Sequence, residues 1–511
     1  MDDRMDLPEY IDGYGRVVPH EGICLQQEST VQQRLVGTTR ERHHKLLKTI
    51  GDAFDACAIH DGATLSFHHH LRNGDQVLNM VLAVAAERGL RDLTVAASSL
   101  FPVHAPLVDH IRSGVVRRIL TAYMSGPVAD AVSRGEMEVP VVMQTHGGRA
   151  RAIESGELRI DVAFIAAPTC DDFGNLNGVE GRAACGPLGY AMVDAQHACM
   201  VVAVTDRLVA YPACPIDIAQ DNVDFVVPVA SIGDPSGILS GTTKPTTDPV
   251  GLGIATAAAE VIEASGLLGN DFSFQTGAGG VSLAVAAQLS AVMTRLGVRG
   301  NFASGGVTGQ LCDMLEAGLF RSIFDVQCFD LRAVDSYRRD SRHMAMSASL
   351  YANPHQRGAV VDRLSTMILG AAEVDTNFNV NVTTGAPGNI LGGSGGHADT
   401  AAGAKLSIVT TKLLAGGIPK IVERVGCITT PGSTIDVVVT DAGVAVHPTR
   451  EDLALRLKKF GIDVRPMQEL LELAEQRKTA GVQRPREPQQ RIVAVVEYRD
   501  GTVIDVVRAV P

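Results

Sequence analysis

The 511-residue chain contains no tryptophan, and aromatic residues make up only 4% of it, while glycine is abundant at 52 residues. That balance suits an α/β protein with small-residue loops rather than an all-β sandwich. Paired cysteines are also missing. The nine cysteines form no C-x-x-C pair, so neither a disulfide framework nor a zinc ribbon is indicated. Cys170, Cys185, Cys199 and Cys214 stand about 15 residues apart, which is not a metal-ligand spacing. They read as small buried residues of a reduced compartment.

Positive charge is scarce as well. A net charge of −12 argues against nucleic acid as the main partner, because phosphate binding needs a basic face. An anionic substrate would have to be held by local Arg, Lys, His or backbone N–H groups. The start, "MDDRMDLPEY", has no basic region followed by an apolar core, so a secretory signal is not expected. The most apolar long run, Gly251–Gly269, contains Glu260 and Glu263 and reads as a soluble helix rather than a membrane span. A cytoplasmic protein is expected. No Walker A loop, dinucleotide fingerprint, serine nucleophile elbow, His-Glu-x-x-His or kinase motif is present.

What the chain does contain is a duplication. "SFHHHLRNGDQVLNMVLAVAAERG" from Ser66 resembles "SFQTGAGGVSLAVAAQLSAVMTRLG" from Ser273, each passing from Ser-Phe through a loop into a helix. "GVVRRIL" from Gly114 matches "GLFRSIF" from Gly318, a shift of 204 residues. "DVAFIAAPTCDDFGNLNG" from Asp161 aligns without gaps to "DTNFNVNVTTGAPGNILG" from Asp375, a shift of 214. Each copy alternates β-rich runs with helical patterns, which calls for parallel strands joined by right-handed crossovers. The expected architecture is α/β: two related open, mostly parallel-sheet domains with a small C-terminal α+β tail. Residues 1–50 form an N-terminal extension, 51–248 and 249–464 the two domains, and 465–511 a helix, the polar linker "RPREPQQ" and a β-hairpin. A site between the copies would use loops at the C-terminal ends of strands.

Three segments could carry chemistry. The loop Gly277, Ala278, Gly279 and Gly280 lies between a strand and a helix, where bare backbone N–H groups can approach an anion. Gly392, Gly393, Ser394, Gly395, Gly396 and His397 form a second such loop. Arg338, Arg339 and Arg342 concentrate guanidinium groups in an acidic protein and could clamp carboxylates, or could equally be a solvated charged helix. The run His68–His70 is not expected to chelate a metal, because successive side chains of an extended segment point to opposite faces. No metal site is expected. Asp75 reads as the N-cap of the helix that follows. The loop before it, with His69 and Arg72, reads either as a surface turn or as an anion-facing wall of an interdomain cleft.

The segments "SFQTGAGG", "SYRRDSRHMAMSASLYANP", "VDTNFNVNVTTGAPGNILGGSGGHADTAAGAKLSIVTTKL" and "PKIVERVGCITTPGSTIDVVVTDAGVAVHP" closely resemble the α subunit of bacterial citrate lyase. The resemblance runs from about Ser66 to Asp452. It implies the wider CoA-transferase superfamily, with two similar α/β domains. It also implies citrate CoA-transferase activity: acetyl-S-carrier protein plus citrate gives citryl-S-carrier protein plus acetate. The implied partners are a β subunit that cleaves the citryl thioester and a γ subunit, the acyl carrier protein. The γ subunit bears a CoA-like phosphopantetheine group, for which acetyl-CoA can be a surrogate. No cofactor bound tightly to this chain is implied, and a homo-oligomer within the larger complex is expected.

In this sequence "NFASGGVTG" places Asn301 where covalent CoA-transferases carry a nucleophilic glutamate. Asn supplies no carboxylate nucleophile, so direct transfer through a mixed anhydride is expected. Within that chemistry, Gly277–Gly280 would form the oxyanion and thioester loop, with Asn301 donating or orienting a hydrogen bond. Gly392–Gly396 and His397 would face the pantetheine arm, and His69, Arg72, Arg338, Arg339 and Arg342 would meet the carboxylates of citrate. The alternatives are the α subunit of malonate decarboxylase, which runs the same exchange with malonate, and a non-catalytic thioester-binding assembly subunit.

Overall fold

The computed structural model describes residues 7–20, 44–239, 244–479 and 490–511. Two large sheets carry the fold. In the first, the strands run in the order Phe225–Pro228, Met200–Thr205, Val162–Ala167, Thr64–Phe67, Leu93–Ala97, Val116–Thr121 and Val141–Met143, all parallel. In the second the order is His343–Ala345, Phe320–Cys328, Gly300–Val307, Ser273–Thr276, Thr366–Gly370, Ser407–Thr410 and Val437–Thr440, again parallel, with Gly443–Val446 added antiparallel. Central strands such as Val162–Ala167 are buried along their whole length, as parallel strands covered by helices on both faces must be.

Counted outward from Thr64–Phe67 and from Ser273–Thr276, the chain visits its neighbouring strands in the same sequence, so the duplication is real at the level of topology. Its register differs from the expected one in the third matched segment. Asp171 Oδ1 accepts from the N–H groups of Phe173 and Asn175 while Asn175 Nδ2 donates to Oδ2. The same turn recurs at Asp375, which accepts from Asn377 and Asn379 while Asn379 Nδ2 donates back. Asp171 therefore corresponds to Asp375 at the shift of 204 shared with the Gly114 segment, and the pairing of Asp161 with Asp375 is ten residues out of register. Similar loop composition at two nearby offsets produced the false match.

The C-terminal residues are not an appendage to the second copy. The hairpin Ile492–Glu497 and Val503–Arg508 extends the first sheet, Ile492–Glu497 running parallel to Val141–Met143. A small ribbon, Tyr10–Ile11 with Gly15–Arg16, packs on that hairpin through Ile11 and Val17 against Val495 and Val506. The helix Met467–Arg477 packs Met467, Leu470 and Ala474 on Val374 and Ile421 of the second copy. The expected polar linker falls outside the described residues except for Gln490.

The apolar run after Pro245 is the helix Pro249–Ser265, started by Asp248 accepting from the Gly251 N–H and ended by Gly266 in the left-handed conformation. No helix among the described residues is long and apolar enough to cross a membrane. Asp75 caps less directly than expected. The helix Val77–Glu87 begins after Gln76, and Asp75 accepts from the Val77 N–H at 3.3 Å through Oδ1 while Oδ2 lies 3.2 Å from His104 Nε2.

Candidate functional site

A cavity of about 520 Å³ opens between the two copies, at the C-terminal ends of strands from both sheets. From the first copy it is lined by His69, Arg72, Phe101, Tyr123, His146 and Tyr190. From the second come Gly277–Gly280, Gln327, Phe329, Gly370 and the loop Gly392–His397, with Lys412 and Lys420 adding positive charge. The expected glycine loops and the His69–Arg72 segment thus meet in one place, as the strand-end rule requires.

Each glycine loop has a different physical basis. Gly279 precedes the 17-residue helix Gly280–Leu296. A Cβ on Gly279 would meet nothing closer than Ser282 Oγ at 3.4 Å and Gly370 Cα at 3.8 Å, and its φ of −77° suits any residue. Packing therefore does not demand glycine there; the missing side chain leaves room beside the first N–H groups of the helix, which carry its partial positive charge. Gly277 is different, since its N–H is already donated to Ile368 O at 2.7 Å. The second loop is built for close approach. A Cβ on Gly393 would lie 2.5 Å from Ala122 O, and one on Gly396 2.5 Å from Tyr351 Oη. Gly395 donates to Ala122 O and accepts from the His146 N–H, so this loop ties the second copy to the first.

His397 lines the cavity but is committed to structure. Its Nε2 donates to Gly370 O at 2.9 Å and its Nδ1 lies 2.7 Å from Thr430 Oγ1, while burial pushes its pKa down to about 4. Two residues further on, Asp399 accepts from Thr145 Oγ1 and the Gly147 N–H of the first copy, with Arg499 of the C-terminal hairpin 3.6 Å away. Burial raises Asp399 to about 6 against the pull of Arg499.

The three histidines diverge. His68 lies 3.0 Å from Asp194, whose carboxyl also takes both terminal nitrogens of Arg149. Burial pushes Asp194 upward, but Arg149 and His68 outweigh it and hold the acid well below its usual range. His70 is buried, and its pKa falls to about 3 through burial and the nearby His68. Only His69 faces the cavity.

Arg72 is the most informative residue. It is 7% exposed and adopts a φ of +51°, a conformation that an ordinary side chain avoids. Its guanidinium sits 4.8 Å from the centre of the Phe101 ring and 5.1 Å from that of Phe329, one ring from each copy. Among the described residues it has no acidic partner, and no Asp or Glu lines the cavity. Burial lowers its pKa to about 10, so it is still charged near neutrality. Aromatic faces offset part of the cost of a buried cation, and an anion would offset the rest.

Four expected site residues lie elsewhere. Asn301 is exposed at the start of the strand Gly300–Val307, whereas Gly306 at the other end reaches the cavity, about 17 Å away at strand rise. Arg338, Arg339 and Arg342 also lie outside the lining. Arg339 pairs with Asp335 at 2.9 Å and Arg342 with Asp340 at 2.6 Å, on a charged outer face. His343 beside them is a core residue held by Asp325 and Ser336. Conversely, Tyr123, His146, Tyr190, Gln327 and Phe329 reach the site without having been anticipated. Their shared signal is position just after or at the end of a strand, or on a helix facing those ends, which becomes readable only once strand boundaries are known.

Comparison with known proteins places these features in a family. The family model for the citrate lyase α subunit (CitF) matches residues 43–510. The citrate lyase α chain of Escherichia coli (strain K12) is 48% identical over 471 residues, 92% of each chain. That of Klebsiella pneumoniae is 47% identical over 476 residues, 93% of each. A crystal structure of the α subunit of citrate lyase from Streptococcus mutans, in complex with citrate, superposes with a TM-score of 0.95 at 45% identity over 99% of both chains. A Pseudomonas malonate decarboxylase hetero-tetramer in complex with malonate shares the fold alone, with a TM-score of 0.63 and 17% identity over 85% of this chain and 88% of that one. This chain belongs to the citrate lyase α-subunit family.

Proposed function

We infer that this chain is the citrate CoA-transferase subunit of a citrate lyase complex, exchanging citrate for acetate on an acyl carrier thioester. The observation that carries the reading is Arg72: a buried, charged guanidinium with no carboxylate partner among the described residues, facing a glycine-lined helix start across a cavity large enough for a tricarboxylate and an acetyl thioester. Membership of the family supplies the substrate class.

In the first step a citrate carboxylate oxygen attacks the acetyl thioester carbonyl, whose π electrons move onto oxygen. The resulting oxyanion collapses, expelling the carrier thiolate and leaving a citryl–acetyl mixed anhydride. The thiolate then attacks the citryl carbonyl, and acetate leaves with the bonding pair. No net proton transfer is needed, so the protein's work is to hold two acyl groups together and to meet each oxyanion with donors. Arg72 would hold substrate carboxylate, the N–H groups after Gly279 would face the thioester oxygen, and Gly392–Gly396 would flank the carrier arm. The absence of Asp and Glu from the described lining supports direct transfer without an acyl-enzyme. Asn301 and the outer arginines have no part in this scheme.

The partners in this reading are a β subunit that cleaves the citryl thioester and a γ carrier subunit, in a cytoplasmic complex. The test is an exchange assay of the full chain with an acetyl thioester and a panel of di- and tricarboxylates. Label exchange with citrate supports the reading, and exchange with malonate but not citrate overturns it. Hydroxylamine trapping that labels an Asp or Glu side chain would overturn direct transfer.

A further inference from the structure

We propose that His69 acts as a neutral N–H donor to the oxyanion formed at the reacting thioester carbonyl, and that Ser98 fixes the tautomer that makes it one. The proposal rests on the exchange reading above and assigns a catalytic contact within it.

Ser98 is fully buried, and its Oγ accepts the backbone N–H of His69 at 3.1 Å. His69 Nδ1 lies 2.6 Å from the same oxygen and is the acceptor that the structure offers to the hydroxyl proton. If Nδ1 carried the ring proton instead, Oγ would accept twice and its own proton would be stranded in the core, a costly arrangement. The proton of a neutral ring therefore belongs on Nε2, the remaining nitrogen of a ring that lines the cavity.

The ring is also kept neutral and still. Burial lowers the pKa of His69 well below the usual value, and the charges of His146 and Arg72 would add to the effect. It stacks on Tyr190 with centroids 4.6 Å apart and lies nearly parallel to His146 at 5.6 Å. From the other copy, Gln327 Nε2 donates to the His69 carbonyl at 2.6 Å, fixing the backbone as well. A neutral imidazole N–H held this way can donate without surrendering its proton, which suits an exchange with no net proton transfer. Arg72, three residues on, remains free to hold carboxylate.

The test uses the full chain assembled with its partner subunits, comparing His69→Ala, His69→Gln, Ser98→Ala and Ser98→Thr at saturating citrate and acetyl carrier. Loss of one oxyanion donor lowers kcat by about 10²–10³-fold. His69→Ala should show that fall with KM for citrate little changed. Ser98→Ala should show a smaller fall, which Ser98→Thr largely restores. An unchanged kcat with a raised KM would make His69 a ground-state ligand and overturn the proposal. Should His69→Ala fold poorly, His69→Leu, which likewise offers no donor, carries the same comparison, while His69→Gln, whose amide keeps an N–H, should retain part of kcat. Independently of activity, ¹⁵N NMR of histidine-labelled protein should show the His69 ring protonated on Nε2 in the wild type and losing that preference in Ser98→Ala. Protonation on Nδ1 would overturn the proposal. A wild-type complex that ignores citrate would instead overturn the exchange reading, while the tautomer measurement would still judge the Ser98 lock.

Discussion

Gln327 of the second copy donates its side-chain N–H to the backbone carbonyl of His69 in the first, at 2.6 Å. Both groups are buried, and the bond joins the Gly395–Ala122 and Asp399–Thr145 contacts in fixing one cavity wall against the other. Gln327→Ala removes the cross-copy bond and leaves the carbonyl with the Arg72 N–H alone, at 2.9 Å, at a cost of about 0.5–1.5 kcal/mol. The expected result is a lower unfolding midpoint together with a several-fold fall in exchange rate, read by denaturant melts and the exchange assay on the same preparation.

Arg72 should be the most sensitive cation in the molecule. Removing a charge-assisted contact to carboxylate costs about 3 kcal/mol, on the order of 100-fold in rate. Arg72→Ala should therefore nearly abolish exchange, and Arg72→Lys should recover little, because an ammonium cannot stack as a plane between Phe101 and Phe329. Full recovery in the lysine variant would show that charge alone suffices.

Two glycine substitutions should separate room for substrate from room for packing. Gly279→Ala meets only ordinary contacts, so its thermal midpoint should match the wild type while exchange falls. Gly393→Ala drives a methyl group to 2.5 Å from Ala122 O and should lower stability by about 1–3 kcal/mol. Equal effects of both variants on stability would contradict this division.

The outer arginines should be dispensable. Arg339→Ala and Arg342→Ala break exposed pairs with Asp335 and Asp340, and such pairs contribute about 0–1 kcal/mol. Exchange kinetics and melting curves should stay close to wild type, and a large rise in the KM for citrate would return these residues to the site.

Asp399 gives the interface a pH dependence with a definite sign. Its folded pKa of about 6 lies above the ordinary 3.8, so the folded state holds the proton more tightly than the unfolded chain. Its stabilising contribution is full below about 3.8 and is lost as pH rises through about 6. The total is on the order of 3 kcal/mol. Asp399→Asn removes the titration, so the stability of the wild type relative to this variant should fall between pH 4 and 7. A flat difference across that range would contradict the shift.

The duplicated α/β plan was legible in the sequence because each copy repeats the same strand–loop–helix grammar, and two glycine loops marked a strand end and a helix start that form the cavity. Arg72 and His69, which line the cavity, were singled out because they fall at the point equivalent to one of those loops. Asn301 was misplaced because a short motif match identifies a residue without saying which end of its strand faces the site. Arg338, Arg339 and Arg342 were misplaced because charge density alone does not distinguish an outer face from a cleft. His146 and Tyr190 carry no local pattern; they converge on His69 only through tertiary packing, at ring-centroid distances of 5.6 and 4.6 Å.

The C-terminal hairpin has a consequence for how the molecule comes apart. Glu497, at the end of the strand Ile492–Glu497, and its bonding partner Gln144, directly after the neighbouring strand Val141–Met143, stand 353 positions apart in the sequence. The second copy is thus spliced into the middle of the first rather than strung after it. A protease nick between the copies would not release two independent halves, because the strand Ile492–Glu497 would still be stitched to Val141–Met143 while covalently joined to the second copy. Mechanical or chemical unfolding should then couple the two halves, with neither able to open its sheet without loosening the other.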